Sequence, residues 1–559
     1  MPASAPHQPW LKHYPPDVPG QLPLPDKSMI DLFEETVQHA GEKPAIHYFY
    51  ETITYRQLND WADRFATLLA RWGIGPGDRV AIYLQNNPQF LVAQYGAWKR
   101  GAIVVPLNPM FKEEEVRYHL QDSGARVLVA LDSLYTAYAQ PVLGETAVER
   151  VITTHESDGL SGDGWRHIPL LNQTQKHVPD GTVDLYSALA QTSPDAGVRV
   201  QVRPADTAYL VYTSGTTGLP KGAMNLHQNI AFNANVYRTW MRIDADDIVL
   251  GLAPLFHITG IVGHMALAAL AGIPLVLFHR FDAAEALRMI ETWRPTMTVA
   301  AITAYIALMN APDAAKADLS SLKKCYSGGA PIAPSLVEQY QQKFGAYIHN
   351  IYGLTETNSP THAVPMGVRA PVDPNSGALS VGVPLPNVDA KVVDLENPDR
   401  EVSAGEPGEF VVRGPMVFAG YWQKPEETEK AFHNGYFRTG DVVIMDEEGW
   451  FYVVDRKKDM INASGYKVWP REVEDVLYQH PAVMEAAVVG VPDPYRGETV
   501  KAFVALREEY IGKVTEEDII QFCKERMAAY KYPRSVEFLP EIPKTASGKF
   551  LRRKLREQA

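Results

Sequence analysis

The stretch Tyr212-Thr213-Ser214-Gly215-Thr216-Thr217-Gly218-Leu219-Pro220-Lys221-Gly222 gathers hydroxyls, glycines and one lysine, the ingredients of a phosphate site. Thr213, Ser214, Thr216 and Thr217 can donate to phosphate oxygens. Gly215, Gly218 and Gly222 let the backbone approach an anion and turn its N–H groups toward it. Lys221 adds a compact positive charge for terminal phosphates. A Walker-type loop has Gly just before the lysine and Ser or Thr just after, where this chain has Pro220 and Gly222. Pro220 has no N–H, so a nest wrapped round a β-phosphate is not expected. Gly, Ser and Thr also make ordinary turns. The flanks favour the anion site: Asp206 to Tyr212 reads as a buried strand and Met224 to Asn229 as a helix start.

With 559 residues the chain is too long for one core, and 46% hydrophobic content places it among globular proteins. A formal charge of −13 argues against a nucleic-acid partner, whose phosphates would be repelled over most of the surface. Cys325 and Cys523 stand far apart, in no metal-like spacing, which suits a reduced, cytoplasmic compartment. Met1 to Leu24 is proline-rich and reads as an extended arm, without the apolar run of a secretory signal. Ile248 to Phe278 carries no Asp, Glu, Lys or Arg, yet Gly251, Pro254, Gly260, Gly263, Gly272 and Pro274 break it into strand, loop, helix and strand. A buried core element is expected there.

The elements that must position the loop follow an alternating rhythm. Met29 to Val37, Thr54 to Trp72, Gln89 to Arg100 and Lys112 to Asp122 read as helices; Arg79 to Leu84, Ile103 to Leu107 and Val127 to Leu131 read as buried strands. That alternation predicts parallel sheets flanked by helices. Residues 141–200 are less regular and read as surface excursions. The alternation resumes with Leu275 to Phe278, a helix from Ala283 to Trp293 with Asp282 as its N-cap, and a strand from Met297 to Ile302. Lys324 to Pro331 and His349 to Thr357 each run a strand into a glycine turn, leaving room for a large group beside the backbone. Beyond Pro371 short β runs predict a β-rich subdomain. From Arg456 onward 19 Lys or Arg face 16 Asp or Glu, a balance of +3 that leaves −16 for the rest of the chain. The predicted fold is therefore α/β: a large N-terminal domain, residues 1–454, with a small β-rich subdomain, then a hinge at 455–458 and a small, mobile α+β C-terminal domain at 459–559.

Six segments, in order, resemble the signatures of the adenylate-forming superfamily, which includes acyl-CoA synthetases, beetle luciferases and the adenylation domains of peptide synthetases. The opening loop is the first. In Tyr352-Gly353-Leu354-Thr355-Glu356 the resemblance implies a Tyr packed on adenine, a Thr at the α-phosphate and Glu356 holding Mg2+; alone, Glu356 would pass for a loop carboxylate. Tyr436 to Asp441 resembles the segment whose Asp, here Asp441, accepts from both ribose hydroxyls, although Thr-Gly-Asp is also a common turn. Asp455-Arg456-Lys457-Lys458 is similar to the family hinge, with Arg456 reaching the ribose and Lys458 as pivot. Ser464 to Glu474 resembles the loop lining the phosphopantetheine channel, which assigns Gly465, Tyr466 and Lys467 to CoA. Pro543 to Lys549 resembles the loop whose last lysine, Lys549, bridges the substrate carboxylate and the α-phosphate. The glycine turn at Gly328, Gly329 and Ala330 is assigned to nucleotide and acid together.

The resemblance implies acyl activation in two steps. Attack of a carboxylate on the α-phosphorus of ATP releases pyrophosphate and leaves an acyl-AMP; the CoA thiol then takes the acyl group and AMP departs. No protein nucleophile is required, because AMP is the transient carrier. Thr355, Glu356, Lys221 and Lys549 are the residues assigned to catalysis. Lys549 and the Gly465 loop lie in the same small domain, so each half-reaction can present its own face of that domain to one fixed site. In Leu255-Phe256-His257-Ile258-Thr259-Gly260, His257 stands where an aromatic gate often lies, and equally suits a satisfied core histidine. No Asp occurs between Ile248 and Phe278 to meet an amino-acid ammonium, which favours a plain acyl chain. The opening Trp10 to Pro16 and the Val468-Trp469-Pro470 version of the hinge loop look most like bacterial long-chain fatty acyl-CoA synthetases. The partners implied are a fatty acid, ATP and CoA. Peripheral membrane contact would suit a lipid substrate, though no convincing amphipathic anchor is visible, and a homodimer is admitted. An aryl-acid CoA ligase, an enzyme loading a carrier protein and a non-catalytic scaffold are the competing readings.

Overall fold

The structure, a computed structural model, describes residues 8–162, 164–171, 175–213, 219–374, 376–456, 459–463, 466–493, 497–544 and 550–558. Among these residues four sheets organise the chain. The first runs in the order Val183–Asp184, Arg150–Thr154, Val127–Leu131, Arg79–Tyr83, Ile103–Pro106, Thr207–Thr213, Lys221–Leu226. Every pair in it is parallel except the last. Val127–Leu131 is buried at each position, which is why it reads as an unbroken apolar run.

Two expectations fail in this sheet. Arg150–Thr154, inside the region read as surface excursions, pairs residue by residue with Val127–Leu131. Its threonines are buried by specific hydrogen bonds, Thr153 Oγ1 to Thr182 Oγ1 at 3.1 Å and Thr154 Oγ1 to Asp158 at 2.9 Å, so apolar content alone does not reveal the strand. Lys221–Leu226 is likewise a strand, antiparallel to Thr207–Thr213 with Thr213 opposite Lys221, and the helix begins only at His227. The hydroxyl-rich loop therefore joins two strands and opens no helix. The reason is long-range: Met224 N donates to Gly420 O at 2.9 Å and Ala419 N to Met224 O at 3.0 Å, a ladder invisible to local periodicity.

The second sheet runs Val383–Pro384, Ser359–Ala363, Ile348–Leu354, Lys324–Gly328, Met297–Ala300, Val249–Leu250, Leu275–Leu277, Pro44–Tyr48, Glu51–Thr54, parallel at its centre and antiparallel at both edges. Met297–Ala300 stops short of Ile302, which opens a helix. Local chemistry sets the helix starts: Thr54 and Gln57 form a capping box on Tyr55–Arg71, and Asp282 accepts from Glu285 N at 2.9 Å as expected. Pro88–Lys99 is buried on every side, the mark of a helix inside a core. The uncharged stretch breaks as its glycines imply, into Val249–Leu250, consecutive helical turns from Ile258 to Ala271 and Leu275–Leu277. Among the described residues no helix is long and apolar enough to cross a membrane.

A smaller antiparallel sheet follows, Asp389–Val393, Gly408–Arg413, Tyr436–Met445 and Phe432–His433, with Phe451–Arg456 paired to Tyr436–Met445. The N-terminal arm is not simply extended. Pro9–His13 forms a 3-10 turn, Trp10 is buried against Phe451, and the Tyr14 hydroxyl donates to Pro384 O at 2.5 Å. Gly449, at φ +86°, faces it: a Cβ there would stand 2.7 Å from Trp10 N. The fourth sheet is the C-terminal one, Tyr466–Val468, Ile461–Ala463, Gly497–Leu506, Val483–Asp493, with Ser535–Phe538 parallel to Gly497–Leu506. The helices Pro470–Leu477 and Glu516–Lys524 contribute Val473, Leu477, Ile519 and Cys523 to its own apolar core.

Candidate active site

A cleft of about 1900 Å³ runs between the two large sheets, the β-rich subdomain and the C-terminal domain. At one end stand Thr213 and Lys221, the last and first residues of the two strands that the hydroxyl-rich loop connects. The Tyr118 hydroxyl fixes the approach to Lys221 by donating to Pro220 O at 2.6 Å. Lys221 Nζ lies 3.0 Å from Glu427 Oε2 and 4.5 Å from the centroid of the Tyr421 ring. The hydrogen bond from Lys221 holds the Glu427 carboxyl below its ordinary range.

Across from it Ile348–Leu354 delivers Tyr352 and Gly353 and passes into the turn of Thr355 and Glu356. This turn doubles back so tightly that a Cβ on Gly353 would stand 1.9 Å from Ser359 O, and Asn358 and Ser359 take positive φ. Two asparagines hold it, and a third holds the 415–417 segment to which Asn358 of the turn donates. Asn225 Nδ2 donates to Thr355 O and Asn358 Oδ1, both at 2.9 Å. Asn233 Nδ2 lies within 3.2 Å of the carbonyls of Thr357, Asn358 and Pro360. Asn229, one turn before Asn233, bonds Pro415 O at 2.7 Å. Buried amides replace the regular ladder that so sharp a turn gives up. Sequence reasoning missed them; their only signal is the spacing Asn225, Asn229, Asn233.

The Tyr421 hydroxyl donates to Glu356 Oε1 at 2.8 Å. Burial first, and the Glu356 charge second, push that hydroxyl's pKa up, so it remains a donor. A carboxylate oxygen in the cleft, opposite the lysine and already oriented, suits a hard cation such as Mg2+. Beside it the Tyr352 hydroxyl donates to Asp441 Oδ2 at 2.6 Å, and Thr439 Oγ1 accepts from Asp441 N at 3.1 Å. Asp441 pairs in register with Arg456 on the neighbouring strand.

The far end is largely apolar. Leu252, Ala253, Phe256, Val299, Ala301 and Ala304 line it, with Thr259 and Thr303 among them. His257 belongs to the same wall, half-buried, and caps the following helical turn by accepting from Thr259 N at 3.3 Å. Gly328 and Gly329 form the rim between the two ends; a Cβ on Gly328 would meet Ile351 O at 2.4 Å. From the C-terminal domain Glu541, Ile542, Pro543, Lys544, Leu551 and Lys554 reach the cleft.

The cleft thus brings together Thr213, Lys221, His257, Gly328, Gly329, Tyr352, Gly353, Thr355, Glu356 and Asp441. Ala330, also expected, is half-buried beyond the rim and is not among its walls. The backbones of Tyr466 and Lys467 lie in the hairpin with Ile461–Ala463, of which no described residue lines the cleft. Ser214, Gly215, Thr216, Thr217, Gly218, Lys458, Gly465 and Lys549 lie outside the described residues.

The sequence profile of the AMP-binding enzyme family matches residues 33–422, and that of the AMP-binding enzyme C-terminal domain matches residues 472–549. A long-chain-fatty-acid–CoA ligase of Bacillus subtilis (strain 168) is 38% identical over 99% of this chain and 98% of its own length, and one of Escherichia coli O157:H7 is 37% identical over 98% of both. Among solved structures, that of an anthranilate CoA ligase in complex with anthranoyl-AMP superposes with a TM-score of 0.84 at 29% identity, covering 96% of this chain and 98% of that one. With both profiles matched in order and the relatives aligned end to end, the chain belongs to the AMP-binding enzyme family.

Proposed function

We propose that this chain is an ATP-dependent, AMP-forming acyl-CoA ligase acting on medium- to long-chain fatty acids. The single observation that carries the reading is one continuous cleft with a lysine and a carboxylate pair at one end, a largely apolar chamber at the other and a glycine rim between them. Full-length relatives named long-chain-fatty-acid–CoA ligases support the choice of acid. In this reading residues 1–454 form the adenylation domain, 455–458 the hinge and 459–559 the C-terminal domain.

The roles follow from charge and reach. ATP lies with its adenine against Tyr352, its ribose on Asp441 and Arg456, and its phosphates between the 213–221 loop and Thr355. Glu356 would hold Mg2+, which when bound screens the phosphate charge from the incoming carboxylate. The acid lies along the apolar wall, its carboxylate emerging at Gly328 and Gly329, with His257 beside it. Lys549 bridges that carboxylate and the α-phosphate and stabilises charge as the new P–O bond forms and pyrophosphate leaves. Pro543, Lys544 and Leu551, which flank its loop, face the cleft, an arrangement suited to this first step. For the second step the C-terminal domain turns about Lys458 to bring Gly465, Tyr466 and Lys467 to the CoA arm, whose thiol attacks the acyl carbon while AMP departs.

A second reading, an aryl-acid CoA ligase, is favoured by the superposition on the anthranilate CoA ligase. AMP release, measured with ATP, Mg2+ and either CoA or an acyl-carrier protein over acids from acetate to palmitate plus coumarate and benzoate, decides between them. CoA-dependent turnover highest on the longer aliphatic acids supports the proposal. Turnover confined to aromatic acids replaces it with the aryl reading, and turnover only with an acyl-carrier protein moves the acceptor.

A further inference from the structure

The segment Phe418 to Trp422 lies between the two phosphate-facing elements and is bonded to both. On one side Phe418 N donates to Glu356 O at 2.8 Å. On the other, Trp422 N donates to Gly222 O at 2.8 Å, Met224 N to Gly420 O at 2.9 Å and Ala419 N to Met224 O at 3.0 Å, with Tyr421 bridged to Ala223. A third anchor comes from the helix Pro425–Ala431: Tyr421 N donates to Thr428 Oγ1 at 2.9 Å. Gly420 makes this contact feasible, since its φ is +130° and a Cβ there would stand 2.6 Å from Thr428. The backbone of Tyr421 is thus fixed from three directions before any ligand binds.

Its side chain repeats the connection. The ring lies under Lys221 Nζ at 4.5 Å, and the hydroxyl holds Glu356 Oε1 at 2.8 Å. A cation over an aromatic face and a charge-assisted hydrogen bond are independent attractions, and one rigid side chain makes both. Tyr421 is only 7% exposed, while Lys221 and Glu356 are half-buried, so both contacts are partly shielded from water and their geometry carries energetic weight.

We propose that Tyr421 is a positioning residue that sets the separation of the phosphate lysine and the magnesium carboxylate, with its ring seating Lys221 and its hydroxyl aiming Glu356. The inference rests on the reading of Lys221 and Glu356 given above. Glu427, paired to Lys221 from the solvent side, is the contact that ATP phosphates displace, while the Tyr421 ring stays in place beneath the ammonium.

The test is calorimetric titration of the full chain, with MgCl2 added to protein saturated with α,β-methylene-ATP, and with the same analogue added in EDTA. Tyr421→Phe keeps the ring and removes the hydroxyl: the magnesium Kd is expected to rise about tenfold, the worth of one hydrogen bond to a charged group. Metal-free analogue binding should stay within about twofold, because the cation–π contact survives. Tyr421→Leu should weaken both. Glu356→Gln cuts the same connection from its other end, and in that background Tyr421→Phe should add less than about twofold, since coupled groups are non-additive. A magnesium Kd unchanged by Tyr421→Phe but raised by Glu356→Gln would overturn the proposal and leave the site reading intact, as would fully additive losses. Unchanged binding in both Glu356→Gln and Lys221→Ala would overturn the site reading and the proposal with it.

Discussion

The large domain and the C-terminal domain both face the same cleft, and they hold their contributions in opposite ways. Lys221, Glu356 and Asp441 are tied to each other's elements through Tyr421, Tyr352 and the buried asparagines. The described contacts of the segment carrying Pro543 and Lys544 stay inside its own domain: Lys544 pairs with Glu485 at 2.6 Å, Leu551 N donates to Pro543 O at 2.8 Å, and Ile542 packs with Phe503 and Leu555. One side of the cleft is pre-organised by its neighbours, the other carried on a unit with apolar cores of its own. In the reaction proposed above, such a division suits two steps, because a fixed nucleotide site can be served in turn by different faces of a C-terminal domain that turns.

The largest effect expected to test this contrast is on stability in acid. His227, His264 and His362 are fully buried in the large domain, and burial pushes their pKa values down to about 3, 4 and 3. A folded pKa below the unfolded value favours the neutral ring in the folded state; the stability it contributes is complete above about 6.5 and is lost as pH falls toward 4. Each such histidine forfeits about 2 kcal/mol between neutral pH and pH 5. The C-terminal domain has a single, half-buried histidine, His480. Calorimetric scans at pH 7 and pH 5 should therefore show the large domain's transition falling by many degrees and the C-terminal domain's holding. Transitions that move together would mean that the two units unfold as one.

Next in size is Lys549→Ala. If the C-terminal domain brings its lysine only to the first step, pyrophosphate release from ATP and acid should fall about 10²–10³-fold, while transfer from preformed acyl-AMP to CoA falls less than about tenfold. Equal losses in both steps would break the division between a fixed and a moving side. Gly353→Ala is smaller and sharpens the other half of the contrast. A Cβ 1.9 Å from Ser359 O must open the turn, so a loss of about 1–3 kcal/mol in thermal stability is expected together with weaker ATP binding by titration. Weakened ATP binding without any loss of stability would show that the turn is not held by the network that surrounds it.

How much of this was legible beforehand differs along the chain. Strands such as Val127–Leu131 and the helix Ala283–Trp293 were readable because burial on both faces and a capped 3.6-residue period leave local marks. The strand Arg150–Thr154 was not, because its buried threonines are satisfied by side chains outside the strand, Thr182 and Asp158, which residue type and periodicity do not reveal. Thr213, Lys221, Tyr352, Glu356 and Asp441 were found as residue types in a fixed order, before anything showed that they share a cleft. Tyr421, Glu427 and the asparagines leave no such mark, since a tyrosine in Gly420-Tyr421-Trp422 carries no chemical signature until its two neighbours are known.

The sequence by itself determined the class of fold, the separation of a small C-terminal unit and the chemistry of nucleotide and acid, because these depend on residue type, periodicity and motif order. Only the tertiary structure decided that the hydroxyl-rich loop spans a hairpin, that Tyr421 joins Lys221 to Glu356, and that the apolar residues around Ala304 line the same cleft as both. Those are relations between segments far apart along the chain. Their energies come from hydrogen bonds and close packing that exist only once the sheets have brought the segments together.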